Sequence, residues 1–160
     1  MANPTSSAPQ IKRVGRYYRK FKAINEGVLH DRPSDELEDK VYGFFQNCHH
    51  LKDWLKEDPA LASLGNVEHF INQCSELRIC ADLCNATKHF RLTKPPRSDV
   101  SPRTGAKRVE LAIAVGAPAP PTIRINYEID TIAGTRDAFE IATICMNTWA
   151  KYLGMEVKDF

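Results

Sequence analysis

The sequence predicts a mainly α-helical protein: an up-and-down four-helix bundle with a β-hairpin inserted between its third and fourth helices. Two observations predict this fold class. Apolar residues recur at helical spacing over four long segments, and the spacing changes to every second residue over about 108–130. The 160 residues suffice for one domain with its own core. We expect a flexible N-terminus over 1–8 and a single domain over 9–160.

Each predicted helix carries one apolar stripe, and most have a recognisable start. Acidic residues crowd the first turns of the second helix, where negative charge complements the helix dipole. Asn66 is a candidate N-cap for the third helix, and Asp137 with Glu140 resembles a capping pair for the fourth. A single turn can follow Pro59. The predicted segments are about 9–28, 35–57, 67–91 and the stretch after Asp137.

The hairpin is predicted from two alternating runs. Apolar residues occupy every second position from Val109 to Val115 and again from Ile123 to Ile129, and a Pro- and Gly-rich loop separates the runs. A lone hairpin is marginally stable in water. Its apolar face should therefore pack on the helices.

The positive charge of the chain is unevenly distributed although the net charge is only +2. Six basic residues and no acidic one lie between Lys12 and Lys22, and seven basic residues lie between Lys88 and Arg108 against Asp99 alone. Such asymmetry gives the surface a positive side that can attract an anionic polymer. Tyr17 and Tyr18, within the first basic stretch, could add stacking to nucleic-acid bases.

Composition also limits which cofactors and which cellular compartment we expect. The five cysteines fall mostly in predicted helix interiors and form no Cys-x-x-Cys pair, so we interpret them as buried apolar side chains in a reducing compartment, without a metal or other cofactor. No apolar run approaches the ~20 residues that span a bilayer. The opening residues lack the pattern of an export signal. We expect a cytoplasmic protein with no membrane contact.

A file of polar residues borders the apolar stripe of the third helix. At about 100° per residue, Arg78, Asp82, Asn85 and His89 share one side of that helix. In one interpretation Arg78 and Asp82 are an i,i+4 ion pair and the other two residues bond a neighbouring loop. In the other interpretation this is a working site, because Asn85, Lys88 and His89 supply an acceptor, a positive charge and a titratable base.

The second helix carries a comparable set. His49 and Asp53 lie one turn apart on one face, and a carboxylate at that distance can orient and charge a histidine. His50 lies on another face of the same helix. If the second and third helices pack with both polar files toward one cleft, these side chains form one site.

The strings FFQNCHHLKDWL (44–55) and CADLCNATKHFRL (80–92), on consecutive helices of a bundle, resemble the HEPN superfamily. They look most like uncharacterised bacterial HEPN-like proteins with an Asn-x-x-Lys-His string, here Asn85 to His89. The resemblance implies a homodimer and a metal-independent ribonuclease of a toxin–antitoxin or phage-defence system. It places catalysis on His89, Asn85 and Lys88. From the two polar files and the basic loop we expect substrate binding at Arg91, Arg78, Asp82, His49, His50 and Asp53.

One feature of the family's nuclease signature is absent from this chain. HEPN nucleases carry an arginine four to six residues before the catalytic histidine, and none of the five histidines here has one. Lys88, Arg91 or a residue of a partner chain would have to neutralise the scissile phosphate. Two functions follow as expectations: an RNA- or nucleotide-interacting protein, with a partner protein such as an antitoxin, or a non-catalytic dimerisation or protein-interaction module.

Overall fold

The computed structural model describes residues 6–88, 96–98, 103–112, 116 and 120–160, and is mainly helical with a small antiparallel sheet. Two short 3₁₀ turns lie at Pro59–Leu64 and Val157–Asp159. The helices are α1 (Ala8–Glu26), α2 (Ser34–Glu57), α3 (Val67–Asn72), α4 (Ser75–Lys88) and α5 (Ala138–Leu153). The strands are β1 (Val28–Leu29), β2 (Arg103–Ala112), β3 (Thr122–Thr131) and β4 (Gly134–Asp137).

The predicted helix starts are confirmed by side-chain caps. The Asn66 side chain accepts a hydrogen bond from the His69 backbone N–H at 3.1 Å, and Asp137 accepts one from the Glu140 N–H at 2.7 Å. Each bond satisfies a donor that has no partner inside its own helix. The turn after Pro59 is also present, as the first of the 3₁₀ turns.

The third predicted helix, in contrast, is two helices. The chain tightens after α3: Gln73 N–H bonds the carbonyl of Phe70, and Cys74 N–H bonds that of Ile71, both at 3.1 Å. These are i→i−3 bonds, which close a turn more tightly than the α-helical ladder and end it. The apolar stripe continues across the break, so periodicity predicted one helix where the backbone forms two.

The sheet is larger than the predicted hairpin. β3 is its central strand; β2 pairs antiparallel along one side of β3, while β1 and β4 pair with opposite ends of the other. As predicted, the apolar face of β3 packs on the helices, chiefly α1 and α5. Its buried side chains are Ile123, Ile125, Tyr127 and Ile129.

The core lies between the helices and the buried face of β3. Trp149 of α5, Phe21 of α1 and Phe44 of α2 are fully buried within it. α1 and α2 approach closely at Gly43, where an added Cβ would lie 2.4 Å from Cε1 of Tyr17. A residue with a side chain at 43 would therefore push the two helices apart.

The predicted flexible N-terminus needs correction at its end. Residues 1–5 lie outside the described residues, but Ser7 is buried and both its backbone N–H and its hydroxyl donate to Asp58 at 2.7 Å. α1 begins at Ala8, directly after this contact. The buried carboxylate of Asp58, through its two bonds from Ser7, ties the start of α1 to the end of α2.

Candidate functional site

Asp82 of α4 is buried at the edge of the core and binds residues 97–98, which are distant from it in sequence. Only 2% of its surface is exposed, and its carboxylate accepts hydrogen bonds from the backbone N–H groups of Arg97 and Ser98, both at 2.8 Å, and from the Ser98 hydroxyl at 2.5 Å. A buried carboxylate is costly unless hydrogen-bonded donors replace water. Three donors do so here, so Asp82 holds residues 97–98 against α4.

Arg78, one turn earlier on α4, contributes to the same contact. Its guanidinium donates from Nη1 to the carbonyl of Arg97 at 3.3 Å, and its buried Nε has no hydrogen-bond partner among the described residues. In place of the predicted i,i+4 pair, both side chains bond the turn at residues 97–98. Asp82 accepts from the backbone N–H groups of that turn, and Arg78 donates to its carbonyl. The residues of the polar file that bond a loop segment are thus Arg78 and Asp82, where the structural interpretation expected Asn85 and His89.

The remainder of the predicted α4 site is described only in part. Asn85 is half-buried, and Lys88 ends the helix. The Lys88 side chain, His89 and Arg91 lie outside the described residues. Catalysis by Asn85, Lys88 and His89 therefore stays a prediction.

The two α2 histidines sit in different surroundings. His49 is 8% exposed, and burial, followed by the positive charges of Lys52 and Arg97, lowers its pKa to about 4. Nε2 of His50 lies 3.6 Å from Sγ of Cys84 on α4. The predicted partner of His49, Asp53, bonds instead to Nζ of Lys52 at 2.8 Å. The charge of Asp53 acts to raise the His49 pKa, but burial and the nearby positive charges outweigh it. His49 is therefore neutral at physiological pH.

Glu68 of α3 connects these α2 residues to the 97–98 segment. Its carboxylate lies 2.6 Å from Nζ of Lys56, 3.1 Å from Nζ of Lys52 and 2.8 Å from Nη1 of Arg97. Partial burial acts to raise the Glu68 pKa, but the hydrogen bonds from Lys56, Arg97 and Lys52 outweigh it and hold that pKa at about 2. One carboxylate thus binds three cations and offsets one of their three charges.

We call His49, Lys52, Glu68, Asp82 and Arg97 the α2–α4 polar cluster. The sequence identified His49 and Asp82 but missed Glu68 and Arg97. The only sequence signal for Glu68 is its position in the first turn of α3, after the Asn66 cap. An acidic residue is favoured there by the helix dipole alone, so its presence does not indicate a site. The only sequence signal for Arg97 is its position in a basic loop. Its contacts join residues 15 and 29 positions apart, which no local pattern encodes.

The basic face of α1 is a second candidate surface. Lys12, Arg16 and Lys20 are exposed at successive i,i+4 positions, and Nζ of Lys20 lies 4.7 Å from the centroid of the Tyr17 ring. Tyr18 is not available for stacking on a base, because its ring stacks on Phe139 at 5.5 Å between centroids. The predicted stacking role of Tyr18 is corrected accordingly.

A groove of about 700 Å³ lies elsewhere, between α4, α5 and the end of α3. Gln73, Glu76, Lys151 and Tyr152 are among its lining residues. Glu76 is already bonded to Arg136 at 2.7 Å. None of the predicted site residues lines this groove.

No protein family, curated protein or solved structure matches the chain. Membership of the HEPN superfamily therefore stays a prediction that rests on the two quoted strings. Within the described residues, no helix combines the length and the apolar character needed to cross a membrane.

We expect Asp82→Asn to lower the free energy of unfolding by about 1–3 kcal/mol, because an amide cannot accept all three bonds and leaves a buried polar group unsatisfied. Urea unfolding measures the loss, and proteolysis after Arg97 should become faster. Asp53→Asn is the matched control, since Asp53 is exposed and its pairing with Lys52 contributes about 0–1 kcal/mol. Equal effects of the two variants would contradict the anchoring role of Asp82.

The lowered pKa of His49 predicts a pH dependence of stability. The unfolded chain takes up a proton near the ordinary pKa of 6.5, whereas folded His49 resists protonation down to about 4. The unfolded state therefore binds more protons in this window, and the free energy of unfolding should fall as pH drops from 6.5 to 4. NMR titration of the His49 ring should show a midpoint near 4; a midpoint near 6.5 would refute the assignment.

Proposed function

We propose that this protein binds RNA through the basic face of α1. The observation that carries the proposal is a row of exposed cations, Lys12, Arg16 and Lys20, in a segment with six basic residues and no acidic one between Lys12 and Lys22. At ~1.5 Å per residue the row extends about 12 Å along the helix axis. A row of this kind follows a phosphate backbone and supplies affinity without reading sequence.

These cations are available to a ligand. Within the part of the chain that the structure describes, no carboxylate lies within 4.0 Å of Lys12, Arg16 or Lys20, while Lys22 pairs with Glu26 at 3.7 Å. The cations of the α2–α4 polar cluster differ in this respect, because Glu68 binds Lys52 and Arg97. We therefore assign phosphate contact to α1 and a structural role to the charged pairs of the cluster.

The proposal extends to catalysis, in which the protein also cleaves the RNA that it binds. His89 would act as the base or acid on the ribose 2′-hydroxyl, Asn85 would orient it, and Lys88 with Arg91 would contact the phosphate in place of the family's arginine. This chemistry needs no metal. It suits a cytoplasmic toxin or phage-defence nuclease with an antitoxin as its partner.

The test is RNA binding by wild type and by a Lys12→Ala/Arg16→Ala/Lys20→Ala variant, measured by fluorescence anisotropy over a range of salt. Wild-type affinity should fall steeply with salt, and the variant should lose about 2 from the slope of log K against log salt, at ~0.7 per phosphate contact with a single strand. Lys151→Ala, which removes an exposed cation of α5, is the control and should leave binding unchanged. No binding by the wild type at low salt would end the proposal.

The same RNA, incubated without metal, separates binding from cleavage. Cutting that leaves 2′,3′-cyclic phosphate ends and disappears in His89→Ala would establish the nuclease form. Binding without cutting by a folded wild type would limit the function to RNA binding.

A non-catalytic dimerisation module is the second candidate, and the outer edge of β2 favours it. β2 pairs with β3 on one edge, and no described strand pairs with the other. Val109 and Leu111 lie opposite the buried Ile125 and Ile123 but are themselves 45% and 57% exposed. Unpaired edges with exposed apolar side chains promote strand pairing between chains.

A second copy of this chain fits that edge by charge. In an antiparallel pairing with Val109 opposite its own copy, Arg108 of each chain lies opposite Glu110 of the other. Opposite charges at directly facing positions stabilise a sheet. Glu110 already pairs with Arg124 of β3 at 3.2 Å, so the charge ladder would continue across the dimer.

Leu111→Lys should abolish such a dimer, because a charge on the edge strand opposes pairing. Analytical ultracentrifugation of the wild type should give a dimer and of Leu111→Lys a monomer. Leu29→Lys is the matched control, since Leu29 of β1 is 56% exposed and lies away from the β2 edge. A monomeric wild type, or a dimer lost equally in both variants, would contradict pairing through β2.

A further inference from the structure

Three cysteines from three helices meet in the core. Cys48 of α2, Cys80 of α4 and Cys145 of α5 place their Sγ atoms within 4.8 Å of one another. None of the three is more than 1% exposed. We call them the thiol cluster. We propose that the thiol cluster is a three-coordinate site for monovalent copper.

The dimensions of the thiol cluster suit one bound cation. At a metal–sulfur distance of about 2.3 Å, the value for zinc thiolates, three sulfurs around a cation in one plane stand about 4 Å apart. The observed limit of 4.8 Å is close to that spacing, so small side-chain movements bring the three sulfurs into contact with a shared cation. Each ligand comes from a different helix, and the rigid bundle limits how far the sulfurs can separate.

Trp149 supplies an independent observation at the same place. Its indole is fully buried, and its Nε1–H has no hydrogen-bond partner among the described residues. A buried donor without a partner is costly. Trp149 lies one turn after Cys145 on α5, so this donor is next to the thiol cluster. A buried donor beside the ligands is the kind of outer contact that tunes a metal centre.

The donor set selects the class of cation. The cluster contains sulfur alone, without imidazole or carboxylate, and soft thiolates favour Cu(I), zinc and iron–sulfur clusters over hard cations. Structural zinc sites are almost always four-coordinate, and the cluster has three ligands. Monovalent copper is the soft cation that three sulfurs can satisfy. Binding of the ion to the thiol cluster displaces thiol protons, which pass to solvent as in other thiolate sites.

Burial also determines how copper enters. The Cys80 thiol donates to the Phe45 carbonyl at 3.3 Å in the closed core, so this thiol must turn before it can bind a cation. Loading requires an opening of the packing between α2, α4 and α5. Copper should therefore enter faster during refolding from urea than into the native protein.

The test is an anaerobic competition between the full chain and bicinchoninate for Cu(I), after refolding with the copper complex. Wild type should remove one equivalent of Cu(I). Cys48→Ala and Cys145→Ala should each weaken binding by more than about 100-fold, since the loss of a ligand exceeds the 10–100-fold typical of outer-contact changes. Trp149→Phe, which removes the N–H donor and keeps an aromatic ring, should weaken it by about 10–100-fold.

Cys74→Ala/Cys84→Ala is the matched control, because it removes two thiols and keeps the cluster. It should still bind one equivalent. X-ray absorption of copper-loaded wild type should show three sulfur neighbours and no nitrogen or oxygen, which keeps the test decisive if a cluster variant does not fold. Absence of Cu(I) binding by the wild type, or binding that disappears in the control and persists in Cys48→Ala, would overturn the proposal.

Discussion

The buried carboxylate of Asp82 is the constraint on which the arrangement of the polar residues depends. It replaces its lost hydration with three donors from residues 97–98, and the position of that segment follows from this requirement. Arg97 is thereby brought to Glu68 of α3 and into the field of His49 on α2. Three helices are coupled through one turn of a loop, and a single unsatisfied oxygen would loosen all of these contacts.

The α2–α4 polar cluster shows how convergence of charged residues can serve structure. Glu68 binds three cations that would otherwise repel one another, and burial together with the charges of Lys52 and Arg97 lowers the pKa of His49. A neutral, buried histidine with a pKa of about 4 is a weak base, so this cluster does not supply the chemistry that cleavage of RNA requires. Within the described residues, Lys12, Arg16 and Lys20 of α1 have no carboxylate partner, and the proposed function is based on them for this reason.

The core holds a second set of polar groups with a different character. The thiol cluster and Trp149 are buried in the core, and the sulfurs come from helices far apart in sequence. Their proposed role and RNA binding by α1 are physically independent, because one depends on the interior of the bundle and the other on its surface charge. A copper ion that cross-links three helices would stabilise the folded state on which the α1 surface depends.

The sequence by itself determined the helical and strand periods, the caps at Asn66 and Asp137, and the buried face of β3, because these depend on neighbours within a few residues. It also located His49, Asp82 and the basic stretch of α1. Only the tertiary structure decided that the third helix breaks at Gln73, that Asp82 binds residues 97–98 and that Asp53 bonds Lys52 in preference to His49. The cysteine contacts belong to the same group. Pairings of this kind join residues across helices, and their energy depends on burial and distance, which no local pattern contains.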